Sequence, residues 1–382
     1  MATSLMLLTN PYRPDPRVLR EARALTEAGH RITLLAWDRE TGAGAESKEG
    51  GVNVVRLGPK SPFRSPLRVF FGLLRFWARA LRKSRGLEFD LVHSHDLDTL
   101  PLGIAIARFS GKPLLYDGHE LYAAMVKDEV GPLYQALAVL EQRLMRRPDA
   151  IITVSEALAD ALSRRRSQKA RIVMTSPDIT SIGKAEMERV KAVYGLSGFV
   201  ICYLGSLEPG RFVEELMDIF GPDDGVTVLI GGAGSLEQRV RETSERASHI
   251  RYIGFVNAEE ALALTASSDL VSAMMDPSNP NNVIGTPGKI LNSMALGKAL
   301  ITADELDIGR LVREIGCGFS VPYKREAFRE AVLIAKDDEK ALEGMGARGK
   351  EYFVANMSWQ KSREELLRTY RTLLKPQAGD RQ

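Results

Sequence analysis

Two histidine-bearing segments, LVHSHDLDTL (91–100) and LLYDGHELY (114–122), put His95, Asp96 and His119 just past the ends of two short apolar runs. An imidazole there can take or give a proton near neutral pH, and Asp117 and Glu120 flank His119 closely enough to orient its ring. The same residues also fit a solvated loop. Asp96 and Asp98 spell DxD, but two aspartates without a third ligand make a poor magnesium site.

Two further segments have the chemistry of anion binding. YLGSLEPGR (203–211) reads as a strand leaving into a glycine turn, with Arg211 just ahead of a helix expected over 212–220; free helix N–H groups and a guanidinium then converge. In NNVIGTPGKILNSMALGKALI (281–301), Thr286 is the expected N-cap, Pro287 the first helical residue and Gly297 the stop. Gly285 and Gly288 admit close backbone approach, and Lys289 adds a point charge. Two such sites in one domain suit a diphosphate, although each also reads as ordinary strand-to-helix geometry.

These groups need a scaffold, and 382 residues imply two domains. With 44% apolar and 26% charged residues the chain is globular, which excludes disordered, collagen-like and coiled-coil classes. Cys202 and Cys317 lie far apart with no paired spacing, so neither a disulfide framework nor structural zinc is expected, in keeping with a cytoplasmic protein. No run is apolar enough to span a bilayer. Strands expected at 4–8, 32–37, 91–93, 113–116 and 151–154 alternate with helices at 17–28, 100–109 and 131–146. The pattern restarts with strands at 199–204, 226–230, 250–252 and 270–273. The fold class is therefore α/β, two Rossmann-like domains with parallel sheets and a ligand cleft expected between them. The stretch 176–195 reads as the linker, and 358–374 as a final helix.

Charge is uneven: residues 1–175 hold 27 Lys and Arg against 19 Asp and Glu, whereas 176–382 hold 25 against 30. The first half is suited to an anionic partner. Within it, LRVFFGLLRFWARALRK (67–83) plots as a helix with Arg68, Arg75, Arg79, Arg82 and Lys83 on one face. Phe70, Leu73, Leu74, Trp77 and Leu81 lie opposite. Such a helix lies on an anionic membrane surface, or packs its apolar face on its own sheet, or both. No nucleic-acid motif accompanies it.

Together, NPYRPDPRVLREARAL, VHSHDLDTLP, YDGHELY, DAIITVSEALAD, YLGSLEPGR and SNPNNVIGTPGKILNSMALGKALI resemble the retaining glycosyltransferases of the GT-B fold, family 4, across roughly residues 4–372. The resemblance implies an acceptor domain over 1–178, joined by the terminal helix 358–375, and a nucleotide-sugar domain over 196–357. It also implies no cofactor and no metal. His119 falls at the family's active-site histidine near the reacting carbon, Arg211 on the donor diphosphate, and Gly285, Thr286 and Gly288 in the phosphate loop. The segment 254–257, with Phe255 and Val256, meets the nucleobase. Two family glutamates are replaced by Ile284 and Asn292, and the arginine of the glycine turn by Ser206. Asn292 retains hydrogen bonding to a ribose without charge, and Asn281 or Asn282 can take over the sugar-facing role. Lys289 joins this donor set; Asn10, Arg13, His95 and Asp96 form the acceptor set, and Arg68, Arg75, Trp77, Arg79 and Arg82 the membrane-surface set.

The expected activity is sugar transfer from a nucleoside-diphosphate sugar to a lipid-linked or other anionic acceptor, peripheral on the inner face of the cell membrane. The missing glutamates keep open a silent scaffold subunit of an active transferase, and the fold also admits a sugar-nucleotide epimerase.

Overall fold

Alternating strands and helices close into two α/β units in the computed structural model, which describes residues 1–12, 15–41, 45–61, 66–126, 131, 134–164, 166–178 and 181–375. One unit comprises residues 1–175 with 360–382, the other residues 176–359.

The first unit is built on β1 (Thr3–Leu8), β2 (Arg31–Trp37), β3 (Ala45–Glu49), β4 (Val52–Leu57), β5 (Leu91–His95), β6 (Leu114–Asp117), β7 (Ala150–Thr153) and β8 (Arg171–Ile172). They stand in the order β3-β4-β2-β1-β5-β6-β7-β8. Leu5 pairs Thr33 on one side and Val92 on the other. Leu5, Met6 and Leu7 are wholly buried, which is why the central strand is a continuous apolar run rather than an alternating one. β3 alone runs antiparallel, joined to β4 through Gly50 and Gly51, both at positive φ. This hairpin and β8 escape the sequence reading, because AESKE has no apolar periodicity at the sheet edge.

Asp15 caps the helix Pro16–Glu27 by accepting from the Val18 amide at 2.9 Å. Its inward stripe carries Val18, Ala22 and Leu25, and also Arg17 and Glu21. The helix Pro66–Ser84 corrects the helical-face expectation. Its buried line is Gly72, Phe76 and Ala80, whereas Phe70, Phe71 and Leu74 face outward. Gly72 decides this rotation: a Cβ there would sit 2.8 Å from the Trp37 ring, so only glycine lets the helix approach and stack Phe76 on Trp37 at 5.7 Å. Leu366 and Tyr370 of the terminal helix Trp359–Leu373 are buried in this first unit, the Tyr370 hydroxyl meeting Ser4 Oγ at 3.1 Å and His93 Nδ1 at 2.9 Å.

The second unit has six parallel strands, β9 (Phe199–Leu204), β10 (Val226–Gly231), β11 (Ile250–Tyr252), β12 (Leu270–Ser272), β13 (Ala299–Ala303) and β14 (Gly318–Val321), in the order β11-β10-β9-β12-β13-β14. The last two are additional to the four expected. The stretch read as a linker instead carries the helix Lys184–Tyr194, whose Val190 packs with Leu196, Val200, Cys202, Leu229, Ala263 and Leu264. Cys202 and Cys317 are buried free thiols.

Setting aside the β3 edge, both sheets reverse strand order beside their first strand, between β1 and β5 and between β9 and β12. Ligands of open α/β sheets bind outside the carboxyl ends at such points. Among the described residues, no helix is long and apolar enough to cross a membrane.

Candidate functional site

In the first unit β5 runs into Asp96, which turns with φ 65°, and the Asp96 amide donates to the Asp117 carbonyl at 2.9 Å. The ends of β5 and β6 are thereby tied together. Two residues on, His119 Nδ1 lies 3.3 Å from Asp96 Oδ1, both side chains about one-third exposed. Burial and the charge of Arg17 depress His119 to about 4, so its ring is neutral at physiological pH. Burial, Asp98 and Asp117 push the Asp96 carboxyl well above its usual range.

Asp117 does not orient His119. Its carboxylate points inward, accepting from Arg17 Nε at 2.7 Å, from Arg17 Nη2 and from His95 Nδ1 at 3.1 Å. Burial opposes this charge, but Arg17 and the His95 hydrogen bond outweigh it and hold the carboxyl well below the usual range. His95, expected on the acceptor, is 1% exposed and belongs to this inner network. Asn10 shapes the turn before the first helix, donating to Asp15 Oδ2 at 2.7 Å and accepting from the Tyr12 amide. Arg13 lies outside the described residues. Asp98 of the DxD pattern is taken by Thr9 at 2.5 Å, with Arg39 3.8 Å away.

Sequence reasoning missed Arg17, Glu21 and Glu141. Charged residues on the inward stripe of a helix are the available signal for the first two. Glu141 is buried, and its oxygens accept from the amides of Tyr122 and Ala123 at 2.9 and 3.2 Å, pinning the chain just beyond His119. Among the described residues, Glu21, His93, His95 and Asp117 bring ligand-type atoms within 4.8 Å of one another. Arg17, forked onto both Asp117 oxygens, sets a fixed positive charge against any cation there. Of the residues expected to face a membrane surface, Arg68, Arg75, Arg79 and Arg82 are exposed to solvent. Trp77 instead turns inward and donates from Nε1 to the Asp98 carbonyl at 2.9 Å.

In the second unit the ends of β9 and β10 and the segment after β11 join through backbone hydrogen bonds, Gly205 N to Gly231 O at 3.0 Å and Gly232 N to Gly254 O at 2.8 Å. A Cβ on Gly232 would fall 1.8 Å from the Gly205 carbonyl oxygen, so no side chain fits. Around this floor lies a pocket of about 440 Å³ lined by Ser206, Gly232, Phe255, Val256, Lys289 and Asn292, among others. Phe255 is 81% exposed at its edge. No carboxylate is among its described lining residues.

Lys289 Nζ sits 3.5 Å above the Tyr203 ring centroid, and burial together with Arg211 lowers it to about 7. Arg211 is oriented through Nη1 by Asn282 Oδ1 at 3.3 Å and Met275 Sδ at 3.0 Å. Phe212, at φ 62°, turns the chain into the helix Val213–Ile219. The helix expected to start at Pro287 begins one residue later: it spans Gly288–Leu296, with Pro287 rather than Thr286 in the cap position. Proline has no side-chain acceptor, so the first amides of this helix have no side-chain cap. Asn281 lies within the short helix Pro280–Ile284 and Gly285 ends it; neither lines the pocket, nor do Arg211, Asn282, Thr286 and Gly288.

A glycosyl transferase 4-like domain matches residues 14–178, and a glycosyl transferases group 1 domain matches residues 198–338. A D-inositol 3-phosphate glycosyltransferase of Corynebacterium efficiens is 25% identical over 324 residues, 78% of this chain and 74% of that protein. A phosphatidyl-myo-inositol mannosyltransferase of Mycolicibacterium smegmatis is 22% identical over 374 residues, 95% of this chain and 91% of the relative. The crystal structure of Anabaena HepE in complex with UDP-glucose shares the fold, with a TM-score of 0.74 at 15% identity over 97% of this chain and 100% of that one. The two sheets, each with the strand order of a Rossmann unit, and the two matched domains in sequence place this chain in the glycosyltransferases of the GT-B fold, built as a 4-like domain followed by a group 1 domain.

Proposed function

We propose that the enzyme is a retaining, metal-independent glycosyltransferase that moves a hexose-type sugar from a nucleoside-diphosphate sugar to an anionic, lipid-linked acceptor during glycan or glycolipid synthesis at the inner membrane face. One observation carries the donor half: Lys289 is half-buried in a pocket with no carboxylate among its described lining residues, beside Arg211 and a helix start without a side-chain cap. A partly desolvated ammonium without a counter-charge favours a ligand that brings one. A leaving diphosphate does so, and its charge grows as the sugar departs through an oxocarbenium-like transition state. Lys289, Arg211 and the amides at Gly288 then stabilise the transition state more than the ground state. With no protein nucleophile, a diphosphate oxygen takes the acceptor's proton. The neutral His119 ring, with Asp96 Oδ1 3.3 Å from its Nδ1, offers a hydrogen bond to a substrate hydroxyl.

The acceptor half draws on two relatives, whose names specify an inositol phosphate and a phosphatidyl-inositol acceptor, both anionic. It also draws on the helix Pro66–Ser84, which exposes Phe70, Phe71 and Leu74 alongside Arg68, Arg75, Arg79 and Arg82. Apolar side chains flanked by arginines fit the boundary between headgroups and acyl chains.

The test is thermal melting with UDP, GDP, TDP, ADP and CDP, with and without magnesium. A nucleotide at 100 times its dissociation constant adds about 2.7 kcal/mol to the folded state. A metal-independent shift with one of them supports the reading. No shift with any at millimolar concentration refutes it.

A further inference from the structure

We propose that Glu21 is a positioning residue for the transfer reaction: a carboxyl sealed beneath the strand ends, it keeps the Arg17–Asp117 pair in the arrangement that sets Asp96 and His119. Its catalytic meaning rests on the transfer reaction proposed above, whereas the geometry does not.

Asp117 holds both strand ends. Its carboxylate grips His95, the residue before Asp96, and its carbonyl accepts from Asp96 itself; Gly118 and His119 follow directly in the chain. The Asp117 side chain is fixed in turn by Arg17, whose Nη1 also donates to the Val173 carbonyl at 2.9 Å and to Thr175 Oγ1 at 3.2 Å. The remaining edge of the guanidinium faces Glu21, with Nη2 3.3 Å from Oε1. Glu21 is 1% exposed, and its other oxygen stands 3.8 Å from His93 Nε2. His93 is anchored through Nδ1 by the Tyr370 hydroxyl.

Arg17 is already forked onto Asp117, so an ionised Glu21 would set a second carboxylate, sealed from water, beside the Asp117 charge. His93 cannot neutralise it: burial and the neighbouring His95 keep that ring uncharged. Burial and the Asp117 carboxylate hold Glu21 protonated. Its O–H then serves Asp117 as a donor, and its carbonyl oxygen leaves the Arg17 fork undisturbed. The other occupant these atoms allow, a divalent metal in place of the proton, is an outcome of the test.

The chain has five histidines, so 13C labelling of their rings gives five assignable signals in the full-length protein without any substrate. Glu21→Gln substitutes a neutral amide of the same shape and is expected to leave the His95 and His119 signals in place and to retain turnover. Glu21→Leu, of similar volume without polar atoms, is expected to move both signals. It should also lower kcat by about 100-fold with nucleotide affinity unchanged, since misplacing a reacting group by about 1 Å costs this much. If Glu21→Leu does not fold, Glu21→Asp, which withdraws the carboxyl by one methylene, is expected to move the same signals. The proposal is overturned if Glu21→Gln shifts them as Glu21→Leu does, or if the folded variant, Leu or Asp, leaves His119 unmoved. Stoichiometric metal found in the native protein and lost from Glu21→Gln would also overturn it. Turnover uses the nucleotide sugar selected by the melting screen; if none is selected, the ring signals decide alone, and the failure of the transfer reading is seen separately.

Discussion

Raising the pH should weaken donor binding through Lys289. With its pKa lowered to about 7, the free protein carries this charge on half its molecules at pH 7. At pH 9 about 1% remain charged, so if the complex requires the ammonium, affinity falls about 50-fold, or ~2.3 kcal/mol. Of the described residues beside Lys289, Cys202 is pushed by burial to about 12 and Tyr203 is raised further, so neither titrates in that window. Calorimetry of nucleoside diphosphate binding from pH 6 to 9, repeated in buffers of different ionisation heat, measures both the affinity and the proton taken up. Lys289→Arg cannot lose its proton and should flatten the profile. Asn292→Glu puts a carboxylate into the same pocket and should move the fall to higher pH. A native affinity constant from pH 7 to 9, or a fall surviving in Lys289→Arg, refutes the reasoning. In the free protein the sign is opposite. Charge on Lys289 disfavours folding, this penalty is full below pH 7 and fades as pH rises from 7 toward 10.5, so Lys289→Met should raise the melting temperature most in mild acid.

His119→Ala should lower turnover by at least about 100-fold in initial-rate assays while leaving the nucleotide-induced melting shift intact, since one preorganised polar contact at a reacting centre is worth this much. Reversing Arg75, Arg79 and Arg82 to Glu should abolish sedimentation with anionic vesicles, and unaltered partitioning would remove the helix Pro66–Ser84 from any membrane role. Phe76→Ala, at a fully buried position stacked on Trp37, should cost about 3–5 kcal/mol in urea unfolding; a cost below about 1 kcal/mol would contradict the buried line along Gly72, Phe76 and Ala80.

The α/β class and most central strands were legible because parallel strands buried on both faces are unbroken apolar runs, as in Leu5–Met6–Leu7 and Val228–Leu229–Ile230. The β3–β4 hairpin was not, since Glu46, Lys48 and Glu49 decorate an edge that needs no apolar alternation. The rotation of the helix Pro66–Ser84 defied a hydrophobicity plot because Gly72, which packs against the Trp37 ring, has no side chain to register. Arg211, Lys289 and the glycine turn stood out because anion chemistry uses few residue types close together in sequence. The inner network did not: Arg17, Glu21, His95 and Asp117 come from three elements spread over 100 residues, and nothing short of the folded sheet reveals that they neutralise one another.

The terminal helix gives the chain an order of events as well as a shape. His93 and Tyr370 are 277 positions apart, and the whole second unit is translated between them. At about 5–20 residues per second, His93 waits roughly 14–55 s on the ribosome for its hydroxyl partner. During that interval the second unit, continuous in sequence, can acquire its native sheet, while the first, all eight of its strands already translated, still lacks the helix that packs beside Ser4 and His93. The nascent enzyme should therefore gain nucleotide binding before it gains a finished first unit, and a chaperone that shields apolar grooves would find its longest-lived target at the place where Leu366 and Tyr370 finally close the fold.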